Sequence, residues 1–571
     1  MKAKREAAQG EIGTGWDHGP SGLLIPAGIV FVCLVLGLVY VARPAYVFDE
    51  TYYFAFSTGV GKWFEHPTLD EKEVRKVFFE GNYHPPLPLY FMAITGRLFR
   101  GDVQDFLIAT RLATVIQFAL LALVAYLFIK SEAGTAAGLF AAGLVALSPR
   151  LFGQALLATY DIPMTLMWVV TTIAFYKGMS SRGWAVASGF AFGLALLTKE
   201  NALLLPLALW PWGLLFYRKK SLGAIISMCV IGPVVMYAGW PWLWLHPLAN
   251  SWRYVTDKLQ FGSPIGAILA SSQAETVRWR HMIQMLYLGK VYSAGPPWHY
   301  PFVVTLLGMP LATLVGAAWA TIDARRNGKE PLVGLLWWSI CAQLLVFAFI
   351  EKPYDGDRLF LPVVALVAIA GGLGLYWLAK RARWAAVCAV ILLILSPGAE
   401  FFIYAPYGMS YYTPVIGGLP GAEKLGMEVT YYGEAVSAEN FAAINSRARE
   451  GDRVTFGPMF KNVRRMLDEF IRYGYLKLGS VPAAELGEWD YLIFVNRGGF
   501  IEAEDREALE SGTVISENKL LGVTLVTVVE KRKEAGDPET ATHHEDAKTQ
   551  RETRQLSTDD ADGTERIEVL E

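Results

Sequence analysis

Long apolar runs recur between residues 22 and 404 of this 571-residue chain. An α-helix rises 1.5 Å per residue, so it needs about 20 apolar residues to span the hydrocarbon core of a bilayer. Eleven segments approach that length, at 22–42, 106–130, 134–152, 161–177, 184–199, 201–217, 222–245, 301–322, 331–350, 359–379 and 384–404. The pattern therefore predicts a polytopic α-helical membrane protein with about 11 transmembrane helices.

Lysine and arginine are concentrated at the N-terminus and in alternate, short connections between these segments. The basic residues are Lys2, Lys4, Arg5, Lys130, Lys177, Arg182, Arg218, Lys219, Lys220, Arg325, Arg326, Lys329, Lys380, Arg381 and Arg383. Because positively charged connections stay in the cytoplasm, the N-terminus is predicted to be cytoplasmic and the long loops near 43–105 and 246–300 to face outward. The predicted location is the cell inner (plasma) membrane, with multiple passes.

The composition changes after residue 404, where the long apolar runs end. Segments 453–457, 490–496 and 523–529 are strand-like, and they are interspersed with segments that have apolar residues at helical spacing. The last residues carry many charges and no aromatic side chain, which predicts disorder. The predicted domains are a cytoplasmic segment at 1–21, a transmembrane module at 22–404, an extracytoplasmic α/β domain at 405–533 and a disordered tail at 534–571.

Composition narrows the classes of function. The chain is 53% hydrophobic and 18% charged, and its net charge of −2 gives no case for nucleic acid as a partner. The four cysteines lie inside apolar runs, so neither a disulfide framework nor a cysteine zinc site is predicted. No glycine-rich nucleotide motif occurs, and an outward-facing reaction has no ATP. An activated group would therefore have to arrive already attached to a lipid.

Two adjacent carboxylates, Asp49 and Glu50, follow the first predicted span and lie among aromatic residues. Adjacent residues of a helix point about 100° apart, so one carboxylate can face a substrate while the other holds a neighbour. A solvated loop with an N-cap aspartate also explains the pair. In the same loop, His84 begins a His-Pro-Pro segment that is either a rigid turn or part of a site.

Further ionisable residues lie at the predicted membrane boundary. Asp161 begins the fourth span, either as a helix N-cap or as a functional group. Lys199 and Glu200 lie between two spans, where ionisable residues are costly and often functional, although the two could also pair with each other. Arg358 lies at the mouth of the tenth span and suits bidentate contacts with phosphate. The set suits a substrate that is part lipid and part sugar or phosphate.

Five motifs occur in an order, and on a predicted side, that resembles the GT-C glycosyltransferases. They are FDE at 48–50, HPPL at 84–87, YDIP at 160–163, LLTK at 196–199 and YDGDRLFLP at 354–362. Together they resemble bacterial members of the protein O-mannosyltransferase and aminoarabinose transferase group, glycosyltransferase families 39 and 83. The likeness extends over roughly residues 22–435.

This resemblance implies a GT-C-like fold and an enzyme that moves a monosaccharide from a polyprenyl-phosphate carrier to an acceptor hydroxyl. The acceptor would be a protein, a lipid or a glycan, and membrane lipid would be a further partner. The implied catalytic residues are Asp49 as the base, Glu50 in support and Asp161 as a second acidic position. The predicted substrate- and phosphate-binding residues are His84, Lys199 and Arg358. No residue cluster demands a metal, and a divalent cation stays open as a cofactor.

Two other functions stay open. A transporter or flippase of a lipid-linked sugar usually has internal repeats and polar residues at the membrane midplane. Here no repeat of the spans is found, and the ionisable residues cluster at one predicted face. A non-catalytic anchor for the α/β domain would need a single span and leaves the other predicted spans unexplained.

Overall fold

The computed structural model describes residues 20–80, 82, 84–99, 103–260, 284–293, 295–431, 433–458, 463–477, 481–482 and 489–531. Within these residues the chain forms a bundle of apolar helices and a five-stranded mixed sheet. The predicted disordered tail at 534–571 and all but the end of the predicted cytoplasmic segment at 1–21 lie outside them.

Each of the eleven apolar segments is helical over most of its length. The helices before the first strand are α1 (Pro20–Tyr40), α2 (Phe48–Glu65), α3 (Glu71–Phe78), α4 (Leu87–Leu98), α5 (Val103–Ala133), α6 (Thr135–Ala146), α7 (Pro149–Ala155), α8 (Asp161–Gly178), α9 (Arg182–Leu196), α10 (Leu205–Tyr217), α11 (Leu222–Ala238), α12 (Pro241–Leu245) and α13 (Pro247–Gln260). A short hairpin of β1 (Met285–Tyr287) and β2 (Lys290–Tyr292) follows, and then α14 (Tyr300–Leu307), α15 (Leu311–Asp323), α16 (Glu330–Phe349), α17 (Leu361–Ala379), α18 (Arg383–Leu393) and α19 (Ala399–Tyr404).

Six helical segments of the described chain are long and apolar enough to cross a membrane, or up to eight if each of two bent pairs forms one span. The bent pairs are α6 with α7, at 62°, and α14 with α15, at 113°. The chain is thus a multi-pass membrane protein. The number of about 11 spans stays a prediction, because several of the helices are shorter than a bilayer requires.

Helix α17 is the centre of the bundle, since nearly all of its side chains are buried. It packs against α5, α6, α8, α15 and α16. Glycine permits the closest of these approaches: a Cβ atom on Gly374 would lie 1.8 Å from the carbonyl oxygen of Gly316 in α15. Small residues at a helix interface let two backbones approach until van der Waals packing is close. Arg358 lies immediately before this central helix.

The C-terminal part of the described chain contains a mixed sheet with the strand order β4-β3-β5-β7-β6. Its elements are α20 (Gly418–Lys424), α21 (Ala438–Asn445), β3 (Arg453–Gly457), α22 (Val463–Arg472), β4 (Val481–Pro482), β5 (Tyr491–Val495), α23 (Ala503–Ser511), β6 (Gly512–Leu520) and β7 (Val523–Lys531). Strand β3 is parallel to β4 and β5, whereas β7 is antiparallel to β5 and β6. The three strand-like segments are therefore strands. The division of the chain into domains stays a prediction.

The sheet region packs against the loop that follows α1. Tyr46 stacks on Tyr473 with a centroid distance of 4.9 Å and makes an edge contact with Phe54 in α2 at 4.8 Å. These three residues belong to one buried apolar cluster. Helix α22 accordingly contacts α2, which carries Asp49 in its first turn.

The β1–β2 hairpin is bound to the C-terminal region by the carboxylate of Glu428. Its Oε1 accepts hydrogen bonds from the backbone N–H groups of Leu286 and Gly499, each at 2.9 Å. Burial raises the pKa of Glu428 to about 7, because the charged form loses its hydration. On the other side of the hairpin, Tyr287 makes an edge contact with Tyr300 at 4.9 Å. The hairpin thus connects the sheet region to α14.

Replacing Gly374 by alanine should destabilise the helix bundle, because the new Cβ would overlap the carbonyl oxygen of Gly316 unless α15 and α17 move apart. Overpacking of this kind typically costs about 1–3 kcal/mol. The measurement is thermal unfolding of the purified protein in detergent. The matched control is Gly28→Ala in α1, where an added Cβ meets nothing within 4 Å. Equal unfolding temperatures for the two variants would contradict the close packing described here.

Candidate active site

The guanidinium group of Arg358 is the centre of a cluster of charges at one end of the bundle. Its Nη2 contacts Asp49 Oδ2, its Nε lies 3.2 Å from Asp161 Oδ2, and its Nη1 lies 3.1 Å from Asp355 Oδ2. Three carboxylates from α2, α8 and the turn before α17 therefore share one cation. Arginine suits this position because its donors form a fixed planar fork.

The turn that precedes Arg358 has an unusual backbone. Asp355 and Gly356 both have positive φ angles, +57° and +72°. Glycine adopts this conformation freely, whereas an aspartate there is uncommon and mildly strained. The N–H of Gly356 donates to the hydroxyl of Tyr300 at 3.2 Å. The turn is thus tied to α14 and orients the carboxylate of Asp355 toward Arg358.

A second cation, Lys199, extends the cluster from the end of α9. Its Nζ lies 2.7 Å from Asp161 Oδ1, and its side chain is only 5% exposed. Asp161, in the first turn of α8, therefore bridges Lys199 and Arg358 with its two oxygens. Of the two alternatives left open for Lys199 and Glu200, the structure does not show a pair between them: Lys199 contacts Asp161, and Glu200 contacts His84.

A third cation, Arg497, comes from the sheet region. Its Nη2 contacts Asp355 Oδ1, and its Nη1 donates to the carbonyl of Tyr431 at 2.8 Å. The cluster defined by these contacts has three negative and three positive groups. Its members are Asp49, Asp161, Asp355, Lys199, Arg358 and Arg497. Such a balance is expected where charges are removed from water, because an unpaired buried charge is costly.

Asp49 is the most exposed carboxylate of this cluster. Its side chain is 16% exposed, whereas those of Asp161 and Asp355 are 2% and 7% exposed. Burial raises the pKa of Asp49, and the neighbouring Arg358 offsets that effect only in part. A carboxylate with a raised pKa binds a proton more readily at neutral pH. Asp49 is therefore the carboxylate of the cluster most open to solvent, with a pKa raised by burial.

Arg150 lies beside the cluster on α7 and is almost fully buried. Its Nη1 lies 3.3 Å from Asp357 Oδ1, while its Nε and Nη2 donate to the carbonyl of Tyr411 at 3.1 and 2.8 Å. The guanidinium also lies 5.0 Å from the centre of the Tyr412 ring. This arrangement joins α7, the turn before α17 and the segment after α19.

Glu50 does not face the cluster, although Asp49 next to it does. Its carboxylate is fully buried and lies 2.7 and 2.6 Å from the Nε and Nη2 of Arg111 in α5. It also accepts the backbone N–H groups of Ala158 at 2.8 Å and Val47 at 3.1 Å. Glu50 therefore holds together the segments that carry Asp49 and Asp161, a positioning contact rather than a contact with a bound molecule.

His84 lies in the loop before α4 and pairs with Glu200. Its Nδ1 is 2.7 Å from Glu200 Oε2, and the two side chains are 24% and 27% exposed. The imidazole ring lies 4.9 Å from the ring of Tyr160, the residue before Asp161. His84 is therefore a neighbour of the charge cluster.

The structure brings four of the six predicted site residues into one network: Asp49, Asp161, Lys199 and Arg358. Glu50 and His84 lie around it, and the catalytic and binding roles of all six stay predictions. Sequence reasoning missed Arg111, Arg150 and Arg497. Arg111 lies inside an apolar run, a position that predicts a buried ion pair. Arg497 instead follows a strand, and its sequence context gives no comparable signal.

A metal site is a separate question from the ion pairs. Among the residues that the structure describes, no group of three or more histidine, cysteine, aspartate or glutamate side chains is arranged to hold a metal ion. The three aspartates of the cluster instead face Arg358. A divalent cation as a cofactor stays open, as it was from the sequence alone.

Comparison with known proteins agrees with the motif pattern. Residues 83–237 match the family model described as dolichyl-phosphate-mannose-protein mannosyltransferase. The fold is similar to that of ArnT from Cupriavidus metallidurans in the apo state, with a TM-score of 0.50, 15% identity, and coverage of 91% of this chain and 99% of that chain. The expected resemblance to GT-C glycosyltransferases is thus confirmed.

Two further solved structures are more distant in shape. ArnT from Cupriavidus metallidurans bound to undecaprenyl phosphate has a TM-score of 0.47 and 15% identity, and the match covers 91% of this chain and 100% of that chain. The oligosaccharyltransferase AglB from Archaeoglobus fulgidus, in complex with an inhibitory peptide and a dolichol-phosphate, has a TM-score of 0.46 and 10% identity, with 90% and 75% covered. No curated protein sequence matches the chain.

Replacing Glu50 by glutamine should lower the thermal stability strongly, because Arg111 would keep a buried charge without a counter-charge. Breaking one side of a buried ion pair typically costs about 3–5 kcal/mol. Thermal unfolding in detergent measures this loss. The control is Glu71→Gln, which removes an exposed pair with Arg75 at 3.9 Å and should change little. A Glu50→Gln variant as stable as the control would rule out the positioning role.

Proposed function

We propose that this protein is an inverting glycosyltransferase of the EC 2.4 class that takes a monosaccharide from a polyprenyl-phosphate carrier. The observation that carries the proposal is the shared network of Asp49, Asp161, Lys199 and Arg358 at one end of an apolar helix bundle. The family match on residues 83–237 and the ArnT-like fold support a donor of this chemical class.

The cations of the network suit the carrier phosphate. Lys199 and Arg358 are held by Asp161 and by Asp49, so an entering phosphate would compete with these carboxylates for the same donors. When Arg358 turns toward the phosphate, the carboxylate of Asp49 loses its partner and becomes available to the acceptor. Fixed cations aimed at the departing phosphate then stabilise the charge that develops on it.

Transfer proceeds in one displacement at the anomeric carbon. The acceptor hydroxyl attacks as the bond to the carrier phosphate breaks, through an oxocarbenium-like transition state. Asp49 accepts the hydroxyl proton, and a positioned base of this kind typically contributes about 10²–10⁴-fold. A single displacement inverts the configuration of the sugar.

The basic connections between the helices support an arrangement with the N-terminus in the cytoplasm and the site at the outer face of the cell inner membrane. Such a site meets a lipid-linked donor from the membrane and an acceptor from the water side. The acceptor hydroxyl belongs to a protein, a lipid such as lipid A, or a polysaccharide. Mannose, galacturonic acid and aminoarabinose are the donor sugars to test.

The rival function is transport of a lipid-linked sugar. It would place exchangeable charges near the middle of the bundle, on both sides of a repeat interface. Within the described chain, the network instead lies at helix ends, at the start of α2, α8 and α17 and after α9. This placement favours a transferase.

Replacing Asp49 by asparagine should reduce transfer by about 10²-fold or more, because the acceptor proton loses its base. The purified protein in detergent is given undecaprenyl-phosphate sugars with a radiolabel on mannose, galacturonic acid or aminoarabinose, together with native membrane extract. The readout is release of label from the lipid. Release by the wild type from one donor identifies the sugar, and the labelled product identifies the acceptor.

The control for this variant is Glu65→Gln, which removes a pair with Arg97 at 2.5 Å at the far end of the same helix and should leave release unchanged. Thermal unfolding of both variants excludes a loss of fold. Full release by Asp49→Asn would contradict the base assignment. Tight donor binding by the wild type without any release would favour the transporter.

As the pH is lowered, kcat/KM should begin to fall at a pH above the ordinary pKa range of aspartate. Burial raises the pKa of Asp49, and the ionised form is the active base, so activity is present at neutral pH and is lost as the pH falls through the raised pKa. Release rates from pH 4 to 8 at low donor concentration measure this fall. A rate that is unchanged down to pH 4 would contradict this expectation.

A further inference from the structure

The pair of His84 and Glu200 has no part in the roles proposed above for Asp49, Lys199 and Arg358. The two groups are 116 residues apart and meet through a short contact of 2.7 Å between Nδ1 and Oε2. Both side chains are about one quarter exposed, so the pair lies at an accessible edge of the site. A carboxylate in this position orients the imidazole and stabilises its protonated form.

The surroundings of the imidazole place it beside Lys199 and Arg358, the two cations proposed to bind the carrier phosphate. Glu200 directly follows Lys199, so the carboxylate partner of His84 and the ammonium partner of Asp161 leave one short turn in different directions. The rings of Tyr160 and Tyr53 pack near the imidazole, with centroid distances of 4.9 and 6.4 Å. The backbone N–H of His84 donates to the side chain of Asn82 at 3.3 Å, which fixes the loop.

The charged and titratable groups around His84 favour the imidazolium. Glu200 is in direct contact, and the negative charge of Asp161 lies within electrostatic range of the ring. The opposing cations at this place are Lys199 and Arg358, and both are paired with Asp161. The phenols of Tyr53 and Tyr160 near the imidazole, and that of Tyr254 near Glu200, are neutral because burial raises the pKa of each.

Resting on the proposed transfer, we infer that His84, oriented by Glu200, is the general acid that protonates the departing carrier phosphate. Lys199 and Arg358 neutralise that phosphate as fixed cations. Histidine is the side chain whose ordinary proton affinity suits the donation of a proton near neutral pH. With Nδ1 directed at Glu200, the proton on Nε2 is the one transferred.

The step balances in bonds and protons. The acceptor oxygen forms a bond to the anomeric carbon, and the bond from that carbon to the phosphate oxygen breaks, with its electron pair leaving on the phosphate. Asp49 takes the proton of the acceptor hydroxyl, and His84 gives a proton to the phosphate oxygen. A proton then passes from Asp49 through water to His84, which resets both groups. The net change is transfer of one proton from the acceptor to the carrier phosphate.

The test is the pH profile of label release for the wild type, His84→Gln, His84→Lys and Glu200→Gln, with the donor that the wild type consumes. The wild type should lose activity at alkaline pH as the imidazolium deprotonates. His84→Gln should lower apparent kcat by about 10–100-fold, the low end for proton transfer because phosphate leaves readily, and should abolish that alkaline limb. Glu200→Gln should move the limb to lower pH, since the imidazolium loses its counter-charge.

His84→Lys separates proton donation from simple attraction of phosphate. Lysine keeps a positive charge but holds its proton to higher pH, so an acid role predicts a low kcat and an alkaline limb moved upward. A charge-only role predicts full activity for His84→Lys, and a raised KM with unchanged kcat for His84→Gln. Either of these two results would overturn the inference.

The matched control is His246→Gln, which removes another His–Glu pair, with Glu71 at 3.8 Å, on an exposed surface and should leave the profile unchanged. Thermal unfolding checks that each variant is folded. The inference and the proposed function fail differently. A wild type that releases no label refutes the transferase, whereas an active wild type whose alkaline limb is the same in His84→Gln refutes only the acid role.

Discussion

The cost of removing charge from water governs this molecule. Arg358 lies at the entrance of α17, the most buried of the spanning-length helices in the described chain, where an unpaired guanidinium would be strongly destabilising. Its charge is tolerated because Asp49, Asp161 and Asp355 converge on it from separate elements. Three carboxylates carry more negative charge than one arginine neutralises, so Lys199 and Arg497 are needed as further cations. Desolvation thus ties the helix bundle, the loops and the sheet region to one point.

Two kinds of buried ion pair follow from this constraint. The pair of Glu50 and Arg111 is fully enclosed and completed by backbone groups, so it is a fixed part of the framework. The contact of Asp49 with Arg358 lies at a more exposed edge, and under the proposed function a carrier phosphate would take the place of this carboxylate. The fixed pair keeps this contact in register, since Asp49 and Glu50 are adjacent on one helix.

Most of the helices could be predicted from the sequence, because apolar runs of spanning length have few alternatives in a membrane. The number of spans stays a prediction, since bends such as that between α14 and α15 divide one apolar run into two helices. Strand β6 was missed because its polar sequence lacks apolar alternation. Motif order indicated Asp49, Asp161, Lys199 and Arg358, but only three-dimensional packing separates Glu50 from Asp49 or brings Arg497 to Asp355. Long-range pairing leaves no local pattern.

The contribution of Arg497 also has a consequence for how the protein is made. Asp49 and Asp161 are synthesised early, whereas Arg497 lies near the C-terminal end of the described chain and is synthesised late. Until then Asp355 lacks its second cation and the cluster carries excess negative charge. The charge balance of the cluster is therefore complete only once the C-terminal region has been synthesised and has folded against the helices.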